Sequence, residues 1–325
     1  MSNEIHSISK LEVEEKKKIF CEKVKSTLSF EILPRIIPDK FASKACNKCE
    51  RKKPLILLLA ISGGCDSIAL FHSILNILDV EKKNNNRKFL LDYSECSRNK
   101  MDTINHKQPF TDEAIACEVH VAHFDHKMRG VESDNDLIFV QQLCEEYHIP
   151  FHCFEWGKDA FSEKATKFSQ EFARDWRRFH MTQLVFDLTE TLKDTEDEKK
   201  SGPTGLILTA HHADDSDETL LLKLLRGTHL SNLSGLEPAV QLEYQSEKRF
   251  GFGKPMLNIR KREIIEFLEC QRLPWREDES NTSNKYLRNR IRNELIPLMS
   301  DIVGSDKILH VSYSKNFFYL FFRHE

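Results

Sequence analysis

The sequence contains no apolar run long enough to cross a bilayer, since a spanning helix needs about 20 consecutive apolar residues. The N-terminus also lacks the basic-then-apolar pattern of a secretory signal. Acidic residues at Glu4, Glu12, Glu14 and Glu15 are unlike the composition of an organelle transit peptide. We therefore expect a folded globular protein in the cytoplasm, with an organelle matrix or stroma left open.

Excess positive charge and a disulfide framework are absent as well. The 325-residue chain has a net charge of −3, so any RNA contact must come from a local basic patch rather than from a strongly basic domain. Its nine cysteines are odd in number and resemble no small secreted framework, which predicts reduced thiols. The C-x2-C pair of Cys46 and Cys49 has no second ligand pair at a spacing suitable for zinc, so we interpret it as ordinary surface thiols.

What the sequence does contain is a series of apolar strands, each followed by a helical pattern. The run 55–61 is continuously apolar between a proline and a Ser-Gly-Gly turn, which is typical of a strand buried on both faces. Further strands are predicted at 118–124, 150–155 and 205–210, and helices at 67–80, 133–147, 169–188 and 214–225. This alternation predicts an α/β fold, a parallel sheet with helices on both faces, followed by a short helical region at 255–299.

The strongest local motif is SGGCDS at 62–67, between the first strand and the first helix of that series. Glycines permit positive φ and let a ligand approach the backbone, and N–H groups at a helix N-terminus bind phosphate oxygens. The Lys-Ser/Thr ending of a Walker P-loop is absent, which disfavours cleavage next to the γ-phosphate. A plain Gly-Gly turn with Asp66 as a helix-start residue is the structural alternative.

A second motif, at 211–219, places four carboxylates within five positions at the start of a helix. Acidic residues stabilise a helix N-terminus by ~0.3–1 kcal/mol each, so a structural role is one explanation. Four such groups repel one another, however, and magnesium bound to ATP or a substrate ammonium group would compensate them. Asp214 and Glu218, at i and i+4, are predicted to project from one face.

Arginines provide candidate contacts for phosphate. Arg129 follows the second strand, and Arg174 and Arg177 lie on the helix at 169–188. A guanidinium holds phosphate oxygens in a fork and stays charged at any working pH, although an arginine on a helix is usually solvated surface.

A basic and aromatic patch near the C-terminus combines Tyr286 and Arg276 with three further arginines, Arg288, Arg290 and Arg292. Such a patch suits an RNA loop, and a solvated arginine helix is the alternative.

Taken in order, eight blocks resemble the N-terminal catalytic domain of the tRNA(Ile)-lysidine synthetases, a family of PP-loop ATP pyrophosphatases, over roughly residues 55–299. They are SGGCDS at 62–67, AHFDHKMRGVES at 122–133, ARDWR at 173–177, TAHHADDSDET at 209–219, LLRGTHLSNLSGL at 224–236, KPMLNIRKREI at 254–264, LPWREDESN at 273–281 and YLRNRIRNELIPLM at 286–299. The resemblance implies a Rossmann-like fold of the adenine nucleotide alpha hydrolase type.

The implied reaction is ATP-dependent ligation of lysine to C2 of the wobble cytidine, position 34, of tRNA(Ile) with anticodon CAU. ATP adenylates the C2 oxygen and releases pyrophosphate; the lysine amine then attacks C2 and expels AMP. ATP and Mg²⁺ are the implied cofactors, and L-lysine and the anticodon region of tRNA(Ile) are the implied partners.

The resemblance also implies roles by motif position. ATP contacts fall on Ser62, Gly63, Gly64, Asp66 and Ser67. Catalytic residues are Asp66, Arg129, Arg174, Asp214 and Glu218, with Asp66 and Asp214 as Mg²⁺ ligands. Lysine or tRNA contacts are His211, Asp215, Glu218, Arg288, Arg290 and Arg292.

The predicted organisation has four parts. Residues 1–53 form a charged helical extension, 54–245 the PP-loop domain with a polar loop insertion at 81–114, 246–300 the helical end of that domain, and 301–325 an unassigned tail. Three residues depart from the family pattern: Ser216 and Asp217 replace Gln-Ala, and Lys127 replaces glycine. Many family members carry extra C-terminal domains that hold tRNA, and nothing in this tail resembles one.

Two alternatives stay open from sequence. The first is another PP-loop ligase, such as a tRNA 2-thiocytidine enzyme or an amidating synthetase, although the C-x2-C pair precedes the PP-loop and no glutaminase domain is apparent. The second is a non-catalytic nucleotide- or tRNA-binding relative.

Overall fold

The strands and helices alternate along the chain, with a helical segment in front. The computed structural model describes residues 10–36, 54–80, 88–91, 115–127, 130–159, 161, 169–192, 204–229, 232–244, 247–277 and 286–303. The strands are β1 (Leu55–Ala60), β2 (Lys88–Leu91), β3 (Ile115–Asp125), β4 (Phe151–Glu155), β5 (Gly205–Leu208), β6 (Ala239–Tyr244) and β7 (Glu247–Gly253).

The helices fall into three groups along the chain. The first is α1 (Lys10–Ser26), continued by a π-helical turn (Thr27–Ile32) and α2 (Leu33–Ile36). The second, between the strands, is α3 (Cys65–Ile77), α4 (Val131–Glu146), α5 (Gln170–Thr191) and α6 (Ala213–Leu225). The third is α7 (Lys261–Cys270) and a C-terminal segment of α8 (Leu287–Arg290), a π-helical turn (Ile291–Leu295) and α9 (Ile296–Val303).

In the described part of the chain, seven strands form a mostly parallel sheet at the centre of the fold. β1 pairs in parallel with β3 and β5, β3 with β4, and β5 with β7. β2 and β6 are antiparallel, β2 to β3 and β6 to β7. β1 pairs with one side of β3. On the other side of β3, β2 pairs with residues 115–118 and β4 with residues 121–125. The predicted α/β class with a parallel sheet is confirmed.

Helices cover both faces of the sheet, as the continuous apolar run of β1 requires. Leu57 and Leu59 point into a core that contains residues of α1, α3, α4 and α7. Leu58 points to the opposite face, where it packs with Met181 and Val185 of α5. A strand buried on both sides cannot alternate apolar with polar residues, which explains its sequence.

The N-terminal helical segment is part of the core. Phe20 of α1 stacks on Phe267 of α7 with ring centroids 4.1 Å apart. Ile36 packs on β7 at Gly251, where an added Cβ would lie 2.1 Å from Ile36 Cδ1. The glycine thus makes room for the helix, and a segment that is charged in sequence supplies a buried apolar stripe.

Two features of the sheet were not predicted from the sequence. β2 lies inside 81–114, a segment predicted to be a polar loop, and its Leu91 is fully buried. The β6–β7 hairpin was also missed, although Phe250 and Phe252 alternate with glycines there. In the part of the chain described, no helix is long and apolar enough to span a membrane.

Candidate active site

The candidate site lies where parallel strands end at one edge of the sheet. β1 leads into the 62–67 motif, β3 into residues 126–127, β5 into residues 209–212 and β7 into Lys254. Ligands of open α/β sheets bind at this carboxyl edge, because the connecting loops and helix N-termini face it.

The 62–67 motif forms a turn closed by one hydroxyl. Ser67 Oγ accepts hydrogen bonds from the N–H groups of Ser62 and Gly63, at 3.2 and 3.1 Å, and donates to the Gly64 carbonyl at 2.8 Å. Gly63 has φ +96°, a conformation that side chains rarely adopt. The turn therefore needs a glycine at 63 and a hydroxyl at 67, and it presents the N-terminus of α3 to the edge of the sheet.

Two other segments hold this turn in place. The Arg276 N–H donates to the Gly63 carbonyl at 2.9 Å, while its Nε donates to Asp136 Oδ1 at 3.0 Å. His123 Nδ1, 2.9 Å from the carbonyl oxygen of Ile61, donates to it because a carbonyl only accepts. Burial lowers the pKa of His123, which keeps the ring neutral. His123 and Arg276, each from a separate sequence block, thus stabilise the conformation of the turn by hydrogen bonds.

The four carboxylates of α6 separate into two pairs with different partners. The first is Asp214 and Asp217, at i and i+3, and both bind the guanidinium of Arg260. Asp214 Oδ2 also accepts from the backbone N–H of Lys261 at 2.7 Å. These partners are at the N-terminus of α7, a site to which no role was assigned from sequence.

The second pair is Asp215 and Glu218, which bind arginines of the C-terminal segment. Arg288 reaches both, with Nε 2.8 Å from Glu218 Oε2 and Nη2 3.1 Å from Asp215 Oδ1. Arg292 adds two hydrogen bonds to Glu218. The Glu218 side chain is 1% exposed, whereas those of the two arginines are 36% and 40% exposed. Asp214 and Glu218, predicted to share one face, therefore meet different cations.

His212 lies between the turn at 62–67 and α6. Its ring nitrogens lie 3.7 Å from Asp66, 3.4 Å from Asp214 and 3.6 Å from Asp215. Burial alone would lower the pKa of His212, but these carboxylates raise it above its usual value. Burial would likewise raise the pKa of Asp214, yet the nearby His212 ring and the hydrogen bond from the Lys261 N–H hold that pKa well below its usual range. The ring thus helps to keep three carboxylates together.

His211, the histidine selected from sequence, has a different setting. Its Nδ1 lies 3.0 Å from Thr209 Oγ1. Burial lowers its pKa to about 4, so the imidazole is neutral near pH 7. His212 was missed because two adjacent histidines in a strand-to-helix turn give no periodic signal to separate them.

Two further predicted arginines, Arg174 and Arg290, are exposed on the surface of the protein, Arg174 on α5. Arg290 binds Glu294, four residues along its own helical segment. Arg129, like Cys46 and Cys49, lies outside the described residues.

The residues that depart from the family pattern have structural roles. Ser216 Oγ accepts from the Leu236 N–H at 3.0 Å and so fixes the segment after α6, and Asp217 pairs with Arg260. Lys127 has φ +53°, the left-handed region that favours glycine. The usual glycine is thus accounted for, and the lysine instead forms ion pairs with Asp125 and Asp134.

Oxygen ligands for a divalent cation are available at Asp66 and Asp214. Both carboxylates are about one-third exposed and both contact Lys261. Among the described residues no group of three or more His, Cys, Asp or Glu side chains is arranged to hold a metal. Mg²⁺ typically uses one or two carboxylates together with substrate phosphates, and this pair fits that mode.

The chain belongs to the PP-loop family, whose domain model matches residues 38–299. Among curated relatives, the bifunctional protein TilS/HprT of Listeria innocua is 34% identical over 245 residues, which are 75% of this chain and 29% of that protein. The tRNA(Ile)-lysidine synthase of Bacillus subtilis is 27% identical over 76% of this chain and 41% of its own length. The synthase of Chlorobaculum tepidum is 29% identical over 75% and 57%.

The chain thus spans less than two thirds of the length of each of these relatives. Among solved structures, the U34-tRNA thiolase NcsA of Methanococcus maripaludis superposes with a TM-score of 0.51 at 12% identity, covering 89% of this chain and 75% of that one. At that identity the likeness supports the fold alone.

Proposed function

We propose that the chain ligates L-lysine to C2 of the wobble cytidine of tRNA(Ile) with anticodon CAU, with conversion of ATP to AMP and pyrophosphate. The observation that supports this most is the convergence, at one edge of the sheet, of the phosphate turn with the acidic start of α6. Asp66 of the turn and Asp214 of α6 both contact His212.

In the first step the C2 oxygen of the cytidine bonds to the α-phosphorus, and the bond from that phosphorus to the bridging oxygen of pyrophosphate breaks. The turn at 62–67 binds and orients the phosphates through N–H groups at the start of α3. Asp66 and Asp214 would hold Mg²⁺, which would supply positive charge to neutralise the phosphates. Arg129 and Arg174 are our candidates for further phosphate or tRNA contacts.

In the second step the ε-ammonium of lysine gives one proton to water; the neutral amine then attacks C2, and the bond from C2 to the adenylate oxygen breaks to release AMP. Adenylation makes that oxygen a good leaving group. We assign the ammonium-binding role to Asp215 and Glu218, with His211 beside them. Their partners Arg288 and Arg292 are themselves cations, so substrate lysine would replace one guanidinium by an ammonium without leaving a buried carboxylate unpaired.

An arginine released from Glu218 becomes available to RNA. Arg288 and Arg292 are more than one-third exposed, and Arg290 is exposed beside them. A guanidinium suits phosphate oxygens and base edges. We therefore assign anticodon-loop binding to this helical segment. Arg288 and Arg292 would contact RNA in place of their ion pairs with Asp215 and Glu218.

The test is to incubate the protein with ATP, radiolabelled lysine and a tRNA(Ile) transcript with anticodon CAU. We expect lysine to be retained on the RNA, with AMP and pyrophosphate released in equal amounts. A transcript with C34 replaced by uridine is the matched control and should retain none. If ADP and orthophosphate are the main products, or lysine is not retained on the CAU transcript, the proposal is wrong.

A further inference from the structure

Lys261, the first residue of α7, touches the phosphate turn although it lies 195 positions beyond it. Its Nζ donates to Asp66 Oδ1 at 2.6 Å and lies 2.9 Å from Cys65 Sγ. Its backbone N–H donates to Asp214 Oδ2 at 2.7 Å. One residue therefore joins the first turn of α3 to the first turn of α6.

The ammonium group is charged and within reach of a ligand. The side chain of Lys261 is 38% exposed, and that of Asp66 32%. A lysine side chain carries a positive charge near pH 7, and that of Lys261 forms an ion pair with Asp66. A positive group thus stands beside the N-terminus of α3, where backbone N–H groups lack helical partners and attract anions.

We propose that Lys261 is a catalytic residue that binds the pyrophosphate part of ATP and neutralises it as it leaves. The proposal rests on the proposed function for the identity of the substrate. A Walker P-loop carries its phosphate-binding lysine within the loop, whereas SGGCDS has none. The fold brings a lysine of α7 beside the first turn of α3.

The charge balance of the first step explains why a cation is needed there. When the C2 oxygen bonds to the α-phosphorus, the electron pair of the breaking P–O bond stays with pyrophosphate, which gains negative charge. An ammonium already held at Asp66 needs little reorganisation to interact with that charge. Asp66 positions it, and the Lys261 main chain, bound to Asp214, fixes where α7 begins.

A purely structural role makes a different prediction. If Lys261 only relieves repulsion between Asp66 and the carboxylates of α6, its removal will lower the melting temperature, while pyrophosphate binding by the folded protein stays unchanged. Binding of pyrophosphate and stability must therefore be measured separately.

The experiment compares Lys261→Met, Lys261→Gln and Lys261→Arg with Arg262→Met, the exposed neighbour on α7. Gln keeps a donor for Asp66 without the charge, so it serves if the Met variant folds poorly. The readouts are tRNA-dependent pyrophosphate release and the rise in melting temperature that pyrophosphate with Mg²⁺ produces.

We expect the Met and Gln variants to release pyrophosphate ~100-fold more slowly, within the range seen when one transition-state donor is removed. They should also lose most of the pyrophosphate-induced rise in melting temperature, with KM for lysine unchanged. Arg should restore much of both, and Arg262→Met should match wild type.

Folded Lys261→Gln protein with wild-type pyrophosphate release and a wild-type thermal response would overturn the role of Lys261. A different result separates the two proposals. If the wild-type protein retains no lysine on RNA but its thermal response to pyrophosphate depends on Lys261, lysidine formation is rejected and phosphate binding by Lys261 is supported.

Discussion

Arg288 and Glu218, 70 positions apart in the chain, meet through a hydrogen bond of 2.8 Å from Nε to Oε2. The carboxylate is buried and the guanidinium is partly exposed. Removing one partner of a buried ion pair is strongly destabilising, because it leaves a buried charge without compensation. The C-terminal helical segment therefore completes the environment of the acidic helix, and motion of that segment would change the charge balance of the site.

Glu218→Gln should reduce lysine incorporation by at least ~100-fold, equivalent to about 2.7 kcal/mol of transition-state stabilisation. It should also lower the melting temperature, because two arginines lose their shared carboxylate. Both quantities are measured on the same preparation, with Glu294→Gln, on the exposed pair with Arg290, as control. Full activity in the folded fraction would mean that Glu218 is purely structural.

Asp214→Asn should raise the Mg²⁺ concentration needed for half-maximal pyrophosphate release, because an amide oxygen is a weaker ligand for a hard cation than a carboxylate. We expect a shift of about tenfold, the size of an effect near 1.4 kcal/mol. Asp217→Asn, on the same helical turn and bound to the same arginine, is the matched control. Equal Mg²⁺ dependence in the two variants would remove Asp214 from the metal site.

Gly251→Ala should destabilise the fold by ~1–3 kcal/mol, the usual cost of overpacking a core. The added Cβ would lie 2.1 Å from Ile36 Cδ1. Ile36→Val removes that methyl group, so the double variant should be more stable than the sum of the single effects predicts. Chemical denaturation measures all three variants. Strict additivity would show that the N-terminal segment does not pack on β7.

The stability of the protein should fall as the pH drops from about 6.5 to about 4. Burial, with a contribution from the charge of His120, lowers the pKa of His152 to about 4, against about 6.5 for an unfolded histidine. Between these values the unfolded chain binds more protons than the folded one, so acid favours unfolding.

His152→Asn should reduce this pH dependence, measured as the free energy of unfolding at steps of pH. His148→Asn, at an exposed residue with φ +55° that asparagine tolerates, is the control. Part of the acid sensitivity should remain, since burial also lowers the pKa values of His126 and His211 to about 4. An unchanged slope in His152→Asn would contradict the assignment.

The central strands and their helices could be predicted because their signal is local. The run 55–61 is continuously apolar because β1 is buried on both faces. The helix after it places apolar residues at helical spacing against the core. β2 was not predictable in this way, because a four-residue edge strand in a polar segment has no period to detect. The core role of α1 was hidden as well, since its apolar stripe is diluted by lysine and glutamate.

The candidate site likewise has one part that could be predicted from local sequence and one part that could not. The turn at 62–67 and the acidic block at 211–219 are contiguous motifs, and sequence alone brings out both. The cations that meet them come from α7 and from the C-terminal segment, and no local pattern links Lys261 to Asp66 or Arg288 to Glu218. The block KPMLNIRKREI carried the signal for Lys261, but only the fold shows which of its charges faces the turn.

The packing of the N-terminal helices has a consequence for how the chain folds during synthesis. Thr27 accepts a hydrogen bond from Asn258, 231 positions later, and Phe20 can stack only once Phe267 has been synthesised. Contacts of such long sequence separation form late, since the intervening loop must close first. At a ribosomal rate of about 5–20 residues per second, the apolar stripe of α1 stays without its final partners for about ten seconds or more. The apolar side chains of α1 therefore stay exposed until α7 has been synthesised.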